Sequence, residues 1–224
     1  MPLLDGALRK LYLRLERHGV EVIDLLPVFL EARVHDFEGQ VPSEATPYQD
    51  LVFLRQDVHW SSYGSMLAAQ VLGRRVRAYP WYPDTLRSHG RAVLVEEVRW
   101  QQRHGSIAGS MIEAGKLDSG TEMEHFPLRD VRIDGERWSL NDRTSPVAVL
   151  GDSYRRLAYG FPQQLLKELG YRVEQVTVPM GNQSGQLRKL RLRSDKLEGK
   201  RLVIWQIATP AFLGQSMWAA VDVF

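Results

Sequence analysis

Cysteine is absent from this 224-residue sequence, and long apolar runs and a strong excess of charge are absent as well. Without cysteine, the chain can form no disulfide, no cysteine-ligated zinc site and no thiol nucleophile. No apolar run approaches the 18 or so residues that a membrane-spanning helix needs, and the N-terminus lacks the pattern of a signal peptide. We therefore expect neither a membrane span nor a targeting segment in this chain.

The charge balance narrows the range of partners. The chain has 29 basic and 27 acidic residues, which gives a formal net charge of +2 at pH 7. A nearly neutral chain is not typical of a dedicated nucleic-acid binder, so we expect no nucleic-acid partner. A basic run at residues 188–193 is most simply the solvated face of a helix. Its alternative interpretation is a patch that attracts an anionic polymer.

The order of the apolar segments predicts an α/β fold. Residues 3–18 have the apolar spacing of an amphipathic helix, and residues 20–25 have the composition of a buried strand. From 147 to 207, short apolar strands alternate with helices, which is typical of a parallel sheet covered on its faces. We expect one domain over 1–224, in which an irregular insertion at about 79–146, punctuated by proline and glycine, covers the site.

The first candidate for chemistry is the sequence Gly151-Asp152-Ser153, directly after a buried strand. Ligands of open α/β sheets bind at the carboxyl ends of the strands, so a serine in this place would be exposed to substrate. The backbone amides of the first helical turn could stabilise a developing oxyanion. A structural interpretation remains open, in which Ser153 only caps the helix that follows.

The second candidate is the pair Asp57 and His59. A serine hydroxyl is a weak nucleophile that needs a general base, for which histidine is the usual choice, and a carboxylate usually orients the histidine. Two residues apart on a loop, both side chains can point into one cavity. The alternatives are a surface histidine beside a helix start, or a metal site, for which the sequence offers no convincing third ligand. We therefore expect no metal, and hydrolytic or transfer chemistry by these three residues would need no cofactor.

The two candidates together resemble a known family. The run Asp57–Gly64, followed by Ala68-Ala69, resembles the D-x-H-W-T-x-x-G-A signature of the AlgJ/AlgX group. These proteins are bacterial O-acetyltransferases of alginate and other exopolysaccharides, and they carry an SGNH-hydrolase-like domain. The run Val149–Tyr154 is similar to the nucleophile block V-L-G-D-S-F of the same family. The resemblance extends over roughly residues 19–213.

The resemblance implies a fold and a set of roles. The fold would be a three-layer α/β/α SGNH-like domain with a mainly parallel sheet, lacking some of the family's N-terminal part. Ser153 would be the nucleophile, His59 the general base and Asp57 the residue that orients it. The oxyanion hole would use the backbone of Ser153 together with Gly181 and Asn182, although these last two residues could instead form a plain turn.

Three aromatic residues near these candidates, Trp60, Tyr63 and Tyr154, could stack on sugar rings. Trp60 has an alternative role as a buried anchor of the loop. The sequence also departs from the family pattern at one point. Gln206 and its neighbours replace the asparagine of the third SGNH block, which leaves open the number of side-chain donors in the oxyanion hole.

The function implied by the resemblance is transfer of acetyl groups to hydroxyls of a bacterial extracellular polysaccharide through an acetyl-serine. The acceptor would be the polysaccharide, and a membrane partner protein would deliver the acetyl donor. The location would be the periplasm or cell envelope. Two alternatives remain open, of which the first uses the same three residues and the second has a degenerate site. One is an SGNH carbohydrate acetylesterase with water as acceptor, and the other is a non-catalytic polysaccharide-binding or assembly protein.

Overall fold

The computed structural model describes residues 6–36, 51–89, 94–133, 141–155, 157–177, 183–195 and 197–208. The chain divides into two compact units, Met1–Thr46 and Pro47–Phe224. Within the described residues, no helix combines the length and the apolar composition needed to cross a membrane.

The first unit contains two helices, α1 (Gly6–Arg17) and α2 (Leu26–Asp36). Helix α1 confirms the helix expected near the N-terminus, and it ends beside Gly19, whose φ of 75° suits a residue without a side chain. The prediction of a strand at 20–25 is wrong, because these residues pair with no other strand among those described. Val20 is 47% exposed there, and the Asp24 carboxylate accepts the backbone N–H of Leu26 at the start of α2.

The second unit holds the remaining elements. Its helices are α3 (Ser62–Arg77), α4 (Tyr82–His89), α5 (Ser106–Glu113), α6 (Phe161–Leu169) and α7 (Gln183–Arg191). Its strands are β1 (Leu94–Arg103), β2 (Glu124–Ile133), β3 (Val147–Gly151), β4 (Glu174–Thr177) and β5 (Leu202–Gln206).

A parallel sheet in the order β4-β3-β5 forms one part of this unit. In the central strand, Ala148 lies opposite Glu174 on one side and Val203 on the other. All five residues of β3 are buried, which explains why its sequence is a continuous apolar run. The α/β class and the parallel pairing expected from the sequence are therefore confirmed.

An antiparallel ribbon of β1 and β2 is the other part, and it lies within the stretch where we expected irregular structure. Phe126, Pro127 and Leu128 on β2 are all buried, while Val98 and Trp100 on β1 are about half exposed. Pro127 lies opposite Trp100. A proline is tolerated there because, among the described strands, β2 pairs with β1 alone. Helix α6 packs against both α3 and β2, so the ribbon is anchored to the body of the unit.

Candidate active site

Ser153 lies at the carboxyl end of the central strand. Strand β3 ends at Gly151, and a short 3-10 turn over Ser153–Arg155 follows it at once. The Asp152 side chain holds this turn, because its carboxylate accepts the backbone N–H of Tyr154 at 3.1 Å and that of Ala208 at 3.0 Å. The serine is half-buried in this turn.

A tight loop before α3 carries Asp57 and His59. The backbone N–H of Leu54 donates to the carbonyl of His59 at 3.2 Å, which closes the loop on itself. Ser61 caps α3, since its hydroxyl accepts the N–H groups of Tyr63 and Gly64. A side chain at Gly64 would collide with the backbone carbonyl of Val52, which explains the glycine in this motif.

Asp57, His59 and Ser153 form a continuous chain of hydrogen bonds. His59 Nδ1 lies 2.6 Å from Asp57 Oδ1, and His59 Nε2 lies 2.7 Å from Ser153 Oγ. The imidazole that donates from Nδ1 to the carboxylate accepts at Nε2, where the serine hydroxyl donates. This geometry allows His59 to take the serine proton as Ser153 attacks an acyl carbon.

The carboxylate of Asp57 is held in its charged form. Burial opposes that charge, but hydrogen bonds from His59 and Ser106 outweigh burial and lower the pKa of Asp57 well below its ordinary value. Ser106 Oγ donates to Asp57 Oδ1 at 2.6 Å, and the Tyr159 hydroxyl donates to Oδ2 at 3.3 Å. The guanidinium of Arg103 lies 3.7 Å from the same Oδ2. An ionised carboxylate thus faces the histidine at neutral pH.

Two aromatic rings enclose the imidazole of His59. The ring of Tyr159 stacks on it with centroids 4.3 Å apart, and the ring of Tyr154 lies at 4.8 Å in a tilted arrangement. Burial, with Asp57 next in importance, raises the pKa of Tyr159, so this phenol stays neutral and can donate. Burial and Asp152 raise the pKa of Tyr154 to about 12. Because both rings pack against its imidazole, His59 has little freedom to turn away from Ser153.

Residues of the antiparallel ribbon and at the start of α5 hold the loop that carries Asp57 and His59. Glu124, which is 2% exposed, accepts the backbone N–H groups of Arg55 at 2.6 Å and Gln56 at 3.1 Å. Gly105 approaches the backbone of Gln56 so closely that any side chain there would strike it. Asp57, the next residue, is therefore positioned by contacts from distant parts of the chain.

The three aromatic residues expected to bind substrate are placed differently from one another. Trp60 is 3% exposed, donates from Nε1 to the carbonyl of Tyr154 at 2.9 Å and packs against Phe161. Its ring has no face open to a sugar, so it acts as the buried anchor that we considered as its alternative. Tyr63 and Tyr154 are half-buried, and substrate binding by these two residues stays a prediction.

The expected oxyanion hole is described only in part. Gly181 and Asn182 lie outside the described residues. Ser153 follows the strand as expected, so its backbone N–H stays a candidate donor. Gln206 at the end of β5 pairs in register with Gly151, and its side-chain oxygen is buried close to that glycine.

Several supporting residues escaped the sequence analysis. These residues contact the loop of Asp57, or its carboxylate, from elements that are distant in the sequence, so no local spacing predicts them. They are Ser106, Glu124, Arg103 and Tyr159. Gly105 before Ser106 has the composition of a helix start, which was the one available signal. No group of three His, Asp or Glu side chains that could hold a metal occurs among the described residues.

The known sequences that this chain resembles all point to one family. A profile described as "SGNH hydrolase-like domain, acetyltransferase AlgX" matches residues 3–209. An alginate biosynthesis protein AlgX of Pseudomonas fluorescens is 26% identical over 203 residues. The AlgX of Pseudomonas syringae pv. tomato is 22% identical over 209 residues. Each alignment covers 87% of this chain but only 38% of the relative, so this chain spans well under half the length of those proteins.

Comparison with solved structures supports the fold. The O-acetyltransferase domain of Pseudomonas putida AlgJ has a TM-score of 0.63 at 20% identity, covering 92% of this chain and 66% of that one. Pseudomonas aeruginosa AlgX has a TM-score of 0.61 at 16% identity, covering 88% of this chain and 42% of that one. The likeness confirms an α/β fold with a parallel sheet, as the sequence indicated.

Proposed function

The chain belongs to the family of SGNH hydrolase-like domains of the AlgX acetyltransferase type, and we propose that it acetylates hydroxyl groups of a bacterial extracellular polysaccharide through an acetyl-serine at Ser153. One observation carries the proposal. The hydroxyl of Ser153, the imidazole of His59 and the carboxylate of Asp57 are hydrogen-bonded in series at the carboxyl end of β3.

The first half of the reaction loads the enzyme. Ser153 Oγ attacks the carbonyl carbon of the donor's acetyl group, while its proton moves to His59 Nε2. The oxyanion that forms is stabilised by backbone donors, of which the N–H of Ser153 is one candidate. As this intermediate collapses, the bond to the leaving group breaks and the leaving group takes the proton from His59. The products are acetyl-Ser153 and the free donor group.

The second half transfers the acetyl group. A sugar hydroxyl gives its proton to His59 Nε2 as its oxygen attacks the acetyl carbon of acetyl-Ser153. The second oxyanion then collapses, the ester bond to Ser153 Oγ breaks, and the serine recovers the proton. Asp57 remains charged throughout and stabilises the imidazolium that forms in each half. No cofactor beyond the donor enters the scheme.

The setting of this reaction is also part of the proposal. The names of the relatives point to alginate as a model for the acceptor. We propose a periplasmic or cell-envelope location, since an extracellular polysaccharide is modified there. A membrane partner protein would deliver the acetyl donor to Ser153.

The test uses p-nitrophenyl acetate as a donor probe and alginate oligosaccharides as acceptors. Intact-mass spectrometry should detect one added acetyl group on the parent protein, and peptide mapping should place it on Ser153. Ser153→Ala should show no adduct and only background turnover. Ser110→Ala, a change on the exposed surface of α5, is the matched control and should acetylate normally.

The acceptor distinguishes the possible functions. Acetylated oligosaccharide, formed by the parent protein and not by Ser153→Ala, would support the transferase. An adduct that is lost to water at the same rate with or without oligosaccharide would identify an esterase. No adduct, with equal background turnover in both proteins, would overturn the catalytic proposal.

A further inference from the structure

Two residues after Ser153, the chain buries an arginine. Arg155 is only 4% exposed. Its Nη1 donates to the carbonyl of Val149 in β3 at 2.9 Å and to Gln175 Oε1 at 2.5 Å, and its Nη2 donates to the carbonyl of Val176 in β4 at 2.8 Å. One side chain thus joins the turn that carries Ser153 to two adjacent strands.

The path of this side chain explains a neighbouring glycine. A Cβ atom at Gly151 would lie 2.5 Å from both Cδ and Nε of Arg155, and 2.6 Å from Gln206 Oε1. Such contacts are too short for real Cβ atoms. The arginine therefore folds back against the backbone that leads into Ser153, and glycine at 151 makes room for it.

Arg155 brings a buried positive charge to the turn. Burial lowers the pKa of its guanidinium to about 10, while the nearby charge of Asp152 acts in the opposite direction. At neutral pH the side chain is still protonated. A buried arginine is retained at a cost in desolvation, which carbonyl acceptors offset only in part.

We propose that Arg155 is a positioning residue for acetyl transfer, which fixes the Ser153 turn against β3 and β4 and holds a positive charge next to it. This inference rests on the proposed function. A turn anchored in this way keeps Ser153 Oγ in line with His59 Nε2, so little reorganisation is needed as the hydroxyl attacks. Arg155 touches neither donor nor acceptor in this scheme, and acts through the serine.

The same strand offers a matched control at its other end. Arg193 has a side chain that is 8% exposed, and it pairs with Glu174 at the start of β4 and with Asp195. Like Arg155 it is attached to β4, although it is less deeply buried. It differs in lying away from the end of the sheet where Ser153 is placed, so it separates general stabilisation from an effect on the nucleophile.

The experiment compares Arg155→Met, Arg155→Lys and Arg193→Met with the parent. The rate of Ser153 acetylation by p-nitrophenyl acetate is followed by intact mass over a range of ester concentrations, well below the unfolding temperature of each protein. Arg155→Met should lower the maximal acetylation rate on the order of 100-fold with little change in the half-saturating ester concentration. Arg155→Lys should recover about 10-fold of this loss, because it restores the charge without the full set of bonds.

Arg193→Met should lower the unfolding temperature and leave the acetylation rate within about 3-fold of the parent. Equal rate losses in the two Met variants, or a parental rate in Arg155→Met, would overturn the inference. If Arg155→Met does not fold, Gln175→Met removes one acceptor and should slow acetylation about 5-fold. A parent that forms no acetyl-serine would instead contradict the proposed function, and the two failures are therefore distinct.

Discussion

The two ends of the parallel sheet bury charge in different ways. At the start of β4, Glu174 pairs with Arg193 and, at 2.9 Å, with Lys200 Nζ. Lys200 also donates to the carbonyls of Arg143 and Ser145, each at 2.6 Å. These charges pair with one another, and among the described residues no hydroxyl or imidazole continues the series.

At the carboxyl end of the sheet, three side chains are hydrogen-bonded in series and the last of them is a half-buried serine. We call this arrangement the open series, and the ion-paired group around Glu174 the closed cluster. In the open series the carboxylate of Asp57 is hydrogen-bonded to one nitrogen of His59, and the other nitrogen is hydrogen-bonded to the hydroxyl of Ser153. A hydroxyl at the end of such a series can lose its proton to the histidine, which no group in the closed cluster can do.

This difference identifies the feature that separates a purely structural group of charges from the proposed catalytic one. Both ends contain a buried carboxylate with a lowered pKa, so the pKa alone does not distinguish them. The distinguishing feature is whether the last side chain of the hydrogen-bonded group carries a half-buried hydroxyl that could act as a nucleophile. We therefore expect changes at the two ends to affect different properties, namely rate at one end and stability at the other.

The largest effect should come from Asp57→Asn. An amide cannot hold Nδ1 of His59 as a donor in the same way, so the imidazole loses the orientation that leaves Nε2 free to accept from Ser153. Acetylation of Ser153 by p-nitrophenyl acetate should slow on the order of 10³–10⁴-fold, as for other serine–histidine–aspartate sets. The unfolding temperature should change far less.

Asp84→Asn provides the control, because this carboxylate forms an exposed ion pair with Arg87 within α4. Its rate should match that of the parent. A rate for Asp57→Asn within tenfold of the parent would remove the contrast between the two ends.

The next effect should be on stability, from Glu174→Gln. This change leaves Lys200 and part of Arg193 buried without their shared carboxylate, and it should lower the free energy of unfolding by about 3 kcal/mol. Acetylation well below the unfolding temperature should stay within a few-fold of the parent. Denaturant unfolding with the acetylation assay measures both quantities.

The same variant carries a pH signature. Burial opposes the charge of Glu174, but hydrogen bonds from Arg193 and Lys200 lower its pKa below the ordinary value. Its contribution to stability is therefore complete above the ordinary pKa of a glutamate and is lost as the pH falls through the lowered pKa. Below about pH 5, the free energy of unfolding of the parent should fall faster than that of Glu174→Gln. Parallel pH dependences would contradict this account.

The three residues of the proposed catalytic set could be found in the sequence because their signals are local. Asp57 and His59 stand two residues apart in one motif, and Ser153 follows a continuous apolar strand. The buried strand β3 and its parallel neighbours follow from the same apolar runs. Local patterns of this kind survive folding, since neighbours in sequence stay neighbours in space.

The surroundings of those residues could not be predicted, because they depend on pairing between distant segments. Ser106 is 49 residues from Asp57, and Glu124 is 69 residues from Arg55. Strand β1 is rich in charged and amide side chains, so its apolar alternation is weak and the ribbon was missed. The burial of Trp60 likewise depends on Phe161, which α6 supplies.

The smallest effect tests whether those distant supports matter to the chemistry, and it comes from Ser106→Ala. Ser106 Oγ donates to the oxygen of Asp57 that also accepts from His59. Losing one hydrogen bond to a charged group should slow acetylation about 5-fold to 10-fold. Ser110→Ala, one turn along α5, removes an exposed hydroxyl and should leave the rate unchanged.

A double substitution separates this role of Ser106 from simple packing. Ser106 donates to the carboxylate of Asp57, so its effect on the rate should depend on the charge of that carboxylate. Ser106→Ala should therefore slow acetylation by a smaller factor in an Asp57→Asn background than in the parent. An equal factor in both backgrounds would mean that Ser106 only packs α5 against the loop. A smaller factor beside Asp57→Asn would instead show that α5 supports the carboxylate at the far end of the hydrogen-bonded series.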